Sequence, residues 1–275
     1  MRKIKKIITP KIVMEGAGVK LRRIFGPEQS SQFDPFLLFD HFGSPNPEDY
    51  VKGFPWHPHR GIETVTYLLQ GEIAHADSIG NKGVIKAGEI QWMTAGSGII
   101  HQEMPQVSKE GTQGFQLWVN LPKEKKMTDP QYRGIGKDEL VQVQENHTLI
   151  KIVSGTIRNK KGPVENLSTE IEYFEVELAG TFNHDSKKKT IIIYVIEGSV
   201  EIGNTTISRH HAALLEEKGE IIITAKKARF LFIAGNPLHQ PIAWAGPIVM
   251  NSQKELDLAF EELDQGKFIK HYKMG

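Results

Sequence analysis

The sequence predicts an all-β fold: two related β units in tandem, ending in one short helix. Three observations predict it. Short apolar runs are broken by Gly, Pro and Asn; two motifs recur in the second half in the same order; and helical periodicity is clear at only one place, near the C-terminus.

The runs are Phe36–Phe42, Glu63–Leu69, Phe115–Leu121, Leu149–Val153, Phe174–Leu178, Ile191–Ile196, Ile221–Thr224 and Phe230–Ala234. Many of their residues are β-branched or aromatic, and turn-forming residues follow them, as in a sandwich or barrel. The start of the chain alternates Lys and Ile, which fits an exposed first strand. Ser252 to Glu255 reads as a capping box. Leu256, Ala259, Phe260 and Leu263 follow at helical spacing, and Gly266 is a stop. The repeat is carried by Tyr67-Leu-Leu-Gln-Gly71 against Tyr194-Val-Ile-Glu-Gly198, and by Gly88-Glu-Ile-Gln against Gly219-Glu-Ile-Ile. With 275 residues, two domains fit the length. The polar stretch Leu121–Gly136 sets the boundary, giving domains at 1–130 and 131–275.

Composition excludes several classes. With 34 basic and 33 acidic side chains the net charge is +1, so no nucleic-acid footprint spreads over the surface and no direct nucleic-acid binding is expected. There is no cysteine, which rules out disulfides, iron–sulfur clusters and thiol nucleophiles. Any metal must be held by His, Asp, Glu or backbone oxygen. No apolar run reaches 18 residues and the basic start lacks a signal-peptide core, so the expectation is a soluble monomer in the cytosol.

Two segments carry chemistry. In Gly53-Phe-Pro-Trp-His57-Pro-His59-Arg-Gly-Ile-Glu63, His57 and His59 are two apart and share a strand face. Pro58 between them places the strand at an edge. Counting on, Glu63, Val65, Tyr67 and Leu69 have the same parity, so that face is expected to look into a barrel. In Gly96-Ser-Gly-Ile-Ile-His101-Gln-Glu103, His101 and Glu103 repeat the spacing. Facing strands would bring together three imidazoles and one carboxylate. Such a set suits iron(II), manganese, cobalt, nickel, copper or zinc rather than calcium or magnesium. Val65, Tyr67, Gln91 and Met93 are the candidate pocket liners.

The remaining histidines have no partner at ligand spacing, and Lys187 to Lys189 reads as a solvated turn. Offsets measured from Gly71 and Gly88 carry the site onto His184, Ser186, Phe232 and Ala234 in the second half. One metal site is therefore expected, in the first unit only.

The first segment resembles the first cupin motif, H-x-H followed by Glu and Gly. More specifically the chain resembles pirins, in Asp34-Pro-Phe-Leu-Leu-Phe-Asp-His-Phe42, His57-Pro-His-Arg-Gly-Ile-Glu-Thr-Val65, Gln91 to Pro105, Phe115 to Pro122 and Gly246-Pro-Ile-Val-Met-Asn251. The resemblance implies two cupin jelly-roll barrels with iron in the first, held by His57, His59, His101 and Glu103. It moves Glu63, a ligand in many cupins, to a neighbouring place in the pocket. It also implies a quercetin 2,3-dioxygenase-like activity on a flavonol-like aromatic substrate and dioxygen. Glu103, or failing that Glu63, would take the substrate proton. The alternative it implies is a metal- or redox-responsive binding protein that regulates a protein partner, as a transcription co-regulator does, in the nucleus if the source is eukaryotic. A third reading is a bicupin whose metal is inert.

Overall fold

The computed structural model describes residues 1–271. Strands hold 56% of the residues and helices 9%, so the chain is all-β. No described helix is long and apolar enough to cross a membrane. Contacts divide the chain into two units, but not by one cut at residue 130. One unit comprises 11–31, 36–137 and the segment from Leu238; the other comprises 1–10, 32–35 and 138–237. The sequence-based boundary is corrected accordingly. A strand pairs with whichever edge completes its hydrogen bonds, and that edge need not be near in sequence. Thus Ile4–Ile8 pairs with Ala212–Leu215, and Arg60 bridges Ile248 in the parallel sense.

The first unit holds two antiparallel sheets. The larger has the order Gln131–Ile135, Ile90–Thr94, Ile62–Gln70, Thr112–Asn120, Phe36–Ser44, Val19–Phe25, Lys11–Glu15. The smaller runs Phe54–His59, Ile99–Pro105, Glu72–Asp77, Lys82–Lys86. Val19, Leu21, Phe42, Tyr50, Leu68, Ile73 and Ile85 form a core cluster drawn from both sheets. In Ile99–Pro105 burial alternates strictly, with Ile99, His101, Glu103 and Pro105 inside. Ile62–Gln70 behaves otherwise: its first seven residues are all buried, so burial does not distinguish its two faces.

The C-terminal helix, Gln253–Asp264, starts with both capping-box bonds between Ser252 and Glu255. Leu256 and Ala259 are its buried residues. They pack with Ile248, Met250 and Phe268.

The second unit is built on one eight-stranded sheet whose long members are Ile171–His184, Thr190–Ile202 and Ile221–Gly235. The runs Ile221–Thr224 and Phe230–Ala234 belong to a single strand. Its hydrophobic cluster includes Phe174, Phe182, Phe230 and Phe232. His184 lies 5.3 Å from Phe232, ring to ring. The sequence offsets paired these two with His57 and His101, which stand 4.4 Å apart. Phe174, Phe182 and Phe232 surround His184 where the first unit has imidazoles, and its Nε2 meets Glu172 at 3.1 Å.

Candidate metal centre

His57 and His59 come from an edge strand, where Pro55 and Pro58 cost no ladder hydrogen bonds that a neighbour needs. His101 sits directly opposite His57 on the adjoining strand. One nitrogen from each of His57, His59 and His101 falls within 4.8 Å of the others, so the group can hold a metal ion.

The hydrogen bonds fix which nitrogen faces the centre. Nδ1 of His57 lies 2.8 Å from the Pro55 carbonyl, and Nδ1 of His59 lies 3.1 Å from the Pro247 carbonyl. A carbonyl only accepts, so both Nδ1 atoms carry the proton and donate. In the neutral rings both Nε2 atoms then present lone pairs, and these two nitrogens lie 3.0 Å apart. Two acceptors at that distance repel unless a cation joins them. His101 is 1% exposed and neither ring nitrogen has a hydrogen-bond partner. Native interiors seldom leave buried polar atoms orphaned, and a metal ligated by all three rings would give one of the two His101 nitrogens a partner. Burial pushes all three histidines toward the neutral form that ligates metal. His59 falls to about 3, from burial first and then its neighbour His57. His101 lies well below its ordinary value, again chiefly through burial, and burial also lowers His57.

Glu103 points inward from the same strand as His101 but stands outside the group of three. Burial raises its carboxyl to about 7, against the opposing effect of a hydrogen bond from Thr66. The Thr66 hydroxyl is 3.0 Å from Glu103 Oε1 and 2.6 Å from Gln116 Oε1. One hydroxyl proton cannot serve two acceptors. Turning the Gln116 amide end for end lets it donate to Thr66 while Thr66 donates to Glu103.

Glu63 is elsewhere. It accepts from Thr94 Oγ1 at 2.8 Å and from Trp92 Nε1 at 3.2 Å. Burial raises its carboxyl. Glu63, Val65 and Tyr67 pair with Thr94, Trp92 and Ile90, whereas Thr64 and Thr66 pair with Met93 and Gln91. Directly paired residues share a face, and Thr66 is the one that lines the cavity. Glu63, Val65 and Tyr67 therefore face away from it, and the expected catalytic or pocket role for them is corrected. Parity was lost at Arg60–Gly61, where the chain leaves the smaller sheet for the larger. Gly61 has φ +78°, and a Cβ there would lie 2.0 Å from the Val249 carbonyl oxygen. Gln91 and Met93 share the face of Thr66 but do not line this cavity, so their expected pocket role is corrected too.

Two buried cations anchor this corner. Arg60 donates to the Ser97 and Phe268 carbonyls at 2.7 and 2.9 Å and pairs with Glu262 at 2.8 Å. Lys126 Nζ donates to the carbonyls of Gly61 and Val249, each at 2.9 Å, and to Asn120 Oδ1 at 2.7 Å. The ammonium form donates all three, and burial lowers its pKa to about 7.

A cavity of about 630 Å³ opens on His57, His59 and Glu103. Leu38, Phe42, Phe54, Trp118 and Trp244 give it apolar, largely aromatic walls. Sequence reasoning missed Trp118, Trp244, Thr66 and Gln116, whose roles depend on register across strands far apart in sequence. Of the set-aside histidines, His75 lies 2.8 Å from the Tyr132 hydroxyl, His41 lies 3.1 Å from Gln113, and His271 pairs with Asp129.

Comparison with known proteins agrees with this geometry. The Pirin family model matches residues 18–119 and the Pirin C-terminal cupin domain matches residues 173–269. A Thermoplasma acidophilum protein named "Putative quercetin 2,3-dioxygenase Ta0133" is 41% identical over 84% of this chain and 97% of its own. A pirin-like protein of Caulobacter vibrioides is 38% identical over 98% of this chain and 99% of its own. The crystal structure of a quercetin 2,3-dioxygenase from Acinetobacter baumannii superposes with a TM-score of 0.88 at 31% identity, covering 98% of both chains. Two cupin domains, a converging histidine trio in the first and a phenylalanine-filled second thus go together, and the chain belongs to the pirin family.

Proposed function

We propose that this protein is an iron(II)-dependent dioxygenase of pirin type that cleaves a flavonol such as quercetin. The observation that carries the reading is the trio of neutral imidazoles, two of which, His57 and His59, line a largely apolar cavity of about 630 Å³. His57, His59 and His101 would hold the metal, with Glu103 as fourth ligand; three nitrogens, one carboxylate and no sulfur suit iron(II). When bound, the metal supplies Lewis acidity toward a chelating hydroxyl and electron exchange with dioxygen.

The chain's own residues do the rest. Trp118, Trp244, Phe42 and Leu38 clamp a planar ring system and exclude water from it. Glu103, buried and held on one oxygen by Thr66, accepts the substrate hydroxyl proton. The proposed balance is one flavonol and one dioxygen giving one depside and one carbon monoxide. Glu63 has no part in it.

The test is dioxygen uptake by protein loaded anaerobically with iron(II) and then given quercetin. The expected result is one carbon monoxide released per dioxygen consumed, and loss of turnover in His101→Ala. Uptake no faster than that of free iron(II) would overturn the proposal and leave the regulatory reading.

A further inference from the structure

The cavity that opens on the histidines has a second polar end, laid out by the sheet register. Thr66 pairs with Gln116, Gln116 with Asp40, and Asp40 with Arg23. Directly opposed residues share a face, and all four line the cavity. They make a polar stripe across a wall otherwise formed by Leu21, Leu38, Phe42 and Trp118. One end of the stripe is the hydrogen bond from Thr66 to Glu103. The other is Arg23, which donates to both oxygens of Asp40 at 3.0 and 2.8 Å and to Glu15 at 2.7 Å. Three strand spacings separate the ends, about 14 Å.

Plain core packing does not call for this cluster. The Asp40 side chain is 5% exposed. A buried ion pair gains little over well-packed apolar residues of the same volume. One guanidinium between two carboxylates leaves the group with a net negative charge. Each oxygen of Asp40 receives one bond from Arg23 and has room for a second, while two of the five guanidinium N–H groups stay free. Tyr50 lines the same cavity, 1% exposed, and its hydroxyl has no partner. Unused acceptors and donors in an otherwise apolar cavity are what a site that reads hydroxyl groups contains.

We infer that Arg23 and Asp40 form a specificity subsite for the ring hydroxyls of a polyphenol whose chelating end lies at the histidines. The inference rests on the flavonol reading above. Ring hydroxyls donate to Asp40 and accept from Arg23. The net negative charge of Asp40, Glu15 and Arg23 together turns away ligands carrying a carboxylate or sulfate there. A polyhydroxylated ring system of two or three rings spans a length comparable to the stripe, whereas a monocyclic phenol reaches only one end.

Trp118 and Trp244 line the cavity, so their fluorescence reports binding without turnover. The experiment titrates iron(II)-loaded protein, without dioxygen, with quercetin and with 3-hydroxyflavone. The second ligand keeps the chelating pair and lacks every other hydroxyl. Wild type is expected to bind quercetin about tenfold more tightly, the lower end of what one hydrogen bond to a charged group contributes. In Asp40→Asn and in Arg23→Lys that preference falls to about twofold or less. Affinity for 3-hydroxyflavone and iron content stay within about twofold of wild type. Equal affinities in wild type overturn the subsite and leave the flavonol reading standing. A preference that survives in both variants, or an equal loss of affinity for both ligands, also overturns it. If neither ligand quenches wild type, the flavonol reading falls and takes the subsite with it.

Discussion

Replacing His101 with Phe asks the first barrel to accept what the second already contains. There Phe232 stands 5.3 Å from His184, against 4.4 Å between His101 and His57. His101 is 1% exposed and both its ring nitrogens lack partners. An unsatisfied buried polar group costs about 1–3 kcal/mol, so without metal the phenyl ring recovers roughly that amount, less the strain of its larger ring. With metal the order reverses. Four-ligand structural sites bind zinc with about 10–16 kcal/mol, or roughly 3 kcal/mol per ligand, which is about a hundredfold in affinity. At a thousandfold excess over Kd, metal stabilises wild type by about 4 kcal/mol, and a hundredfold weaker site gains only about 1.4. The assay is thermal unfolding of EDTA-treated protein, repeated with iron(II) or nickel(II) under nitrogen. For a chain of this size each kcal/mol moves Tm by about 2–4 °C. The metal-free variant should unfold at or above metal-free wild type, and its metal-induced rise should be less than half as large. A metal-free variant clearly less stable than wild type, or an equal rise with metal, would refute the reasoning from orphaned nitrogens.

Three further outcomes follow from the same contacts. Thr66→Val keeps the shape of the side chain and removes the hydrogen bond to Glu103; partners of this kind are worth about 10–100-fold in metal affinity or activity, so dioxygen uptake should drop by that much, with a loss of about 1–3 kcal/mol in urea denaturation from the unpaired carboxyl. Glu63→Gln should leave metal content and uptake unchanged within about twofold, because Glu63 faces Trp92 and Thr94 rather than the cavity, and equal losses in Glu63→Gln and Glu103→Gln would contradict that placement. Lys126→Met orphans the acceptors on Gly61, Asn120 and Val249 and should cost about 2–4 kcal/mol in urea denaturation. Burial pushes Lys126 down to about 7, below its unfolded value near 10.4. Between those values the unfolded chain binds more protons, so wild-type stability rises with pH from about 7 to 10. The Met variant should lose that rise.

The all-β class, the capped terminal helix, the tandem β units and the histidine trio were all legible in the sequence. Each of these is a local pattern. His57 and His59, or His101 and Glu103, share a face because strand geometry has period two. The pairing of His184 with Phe232 followed from offsets within a repeat, since two copies of one fold put equal offsets at equivalent places. Other features depended on how distant strands pack. Glu63 was misplaced because parity does not survive the crossing at Gly61, and Ile62–Gln70 is buried on both faces, so no alternation reveals which side meets the cavity. The domain limits failed as a single cut because edge strands pair across the chain. The carbonyl of Pro247 that orients His59 lies 188 residues away, and the stripe from Thr66 through Gln116 and Asp40 to Arg23 joins four separate strands. Such relations depend on register, and register is set by the packing of both sheets together.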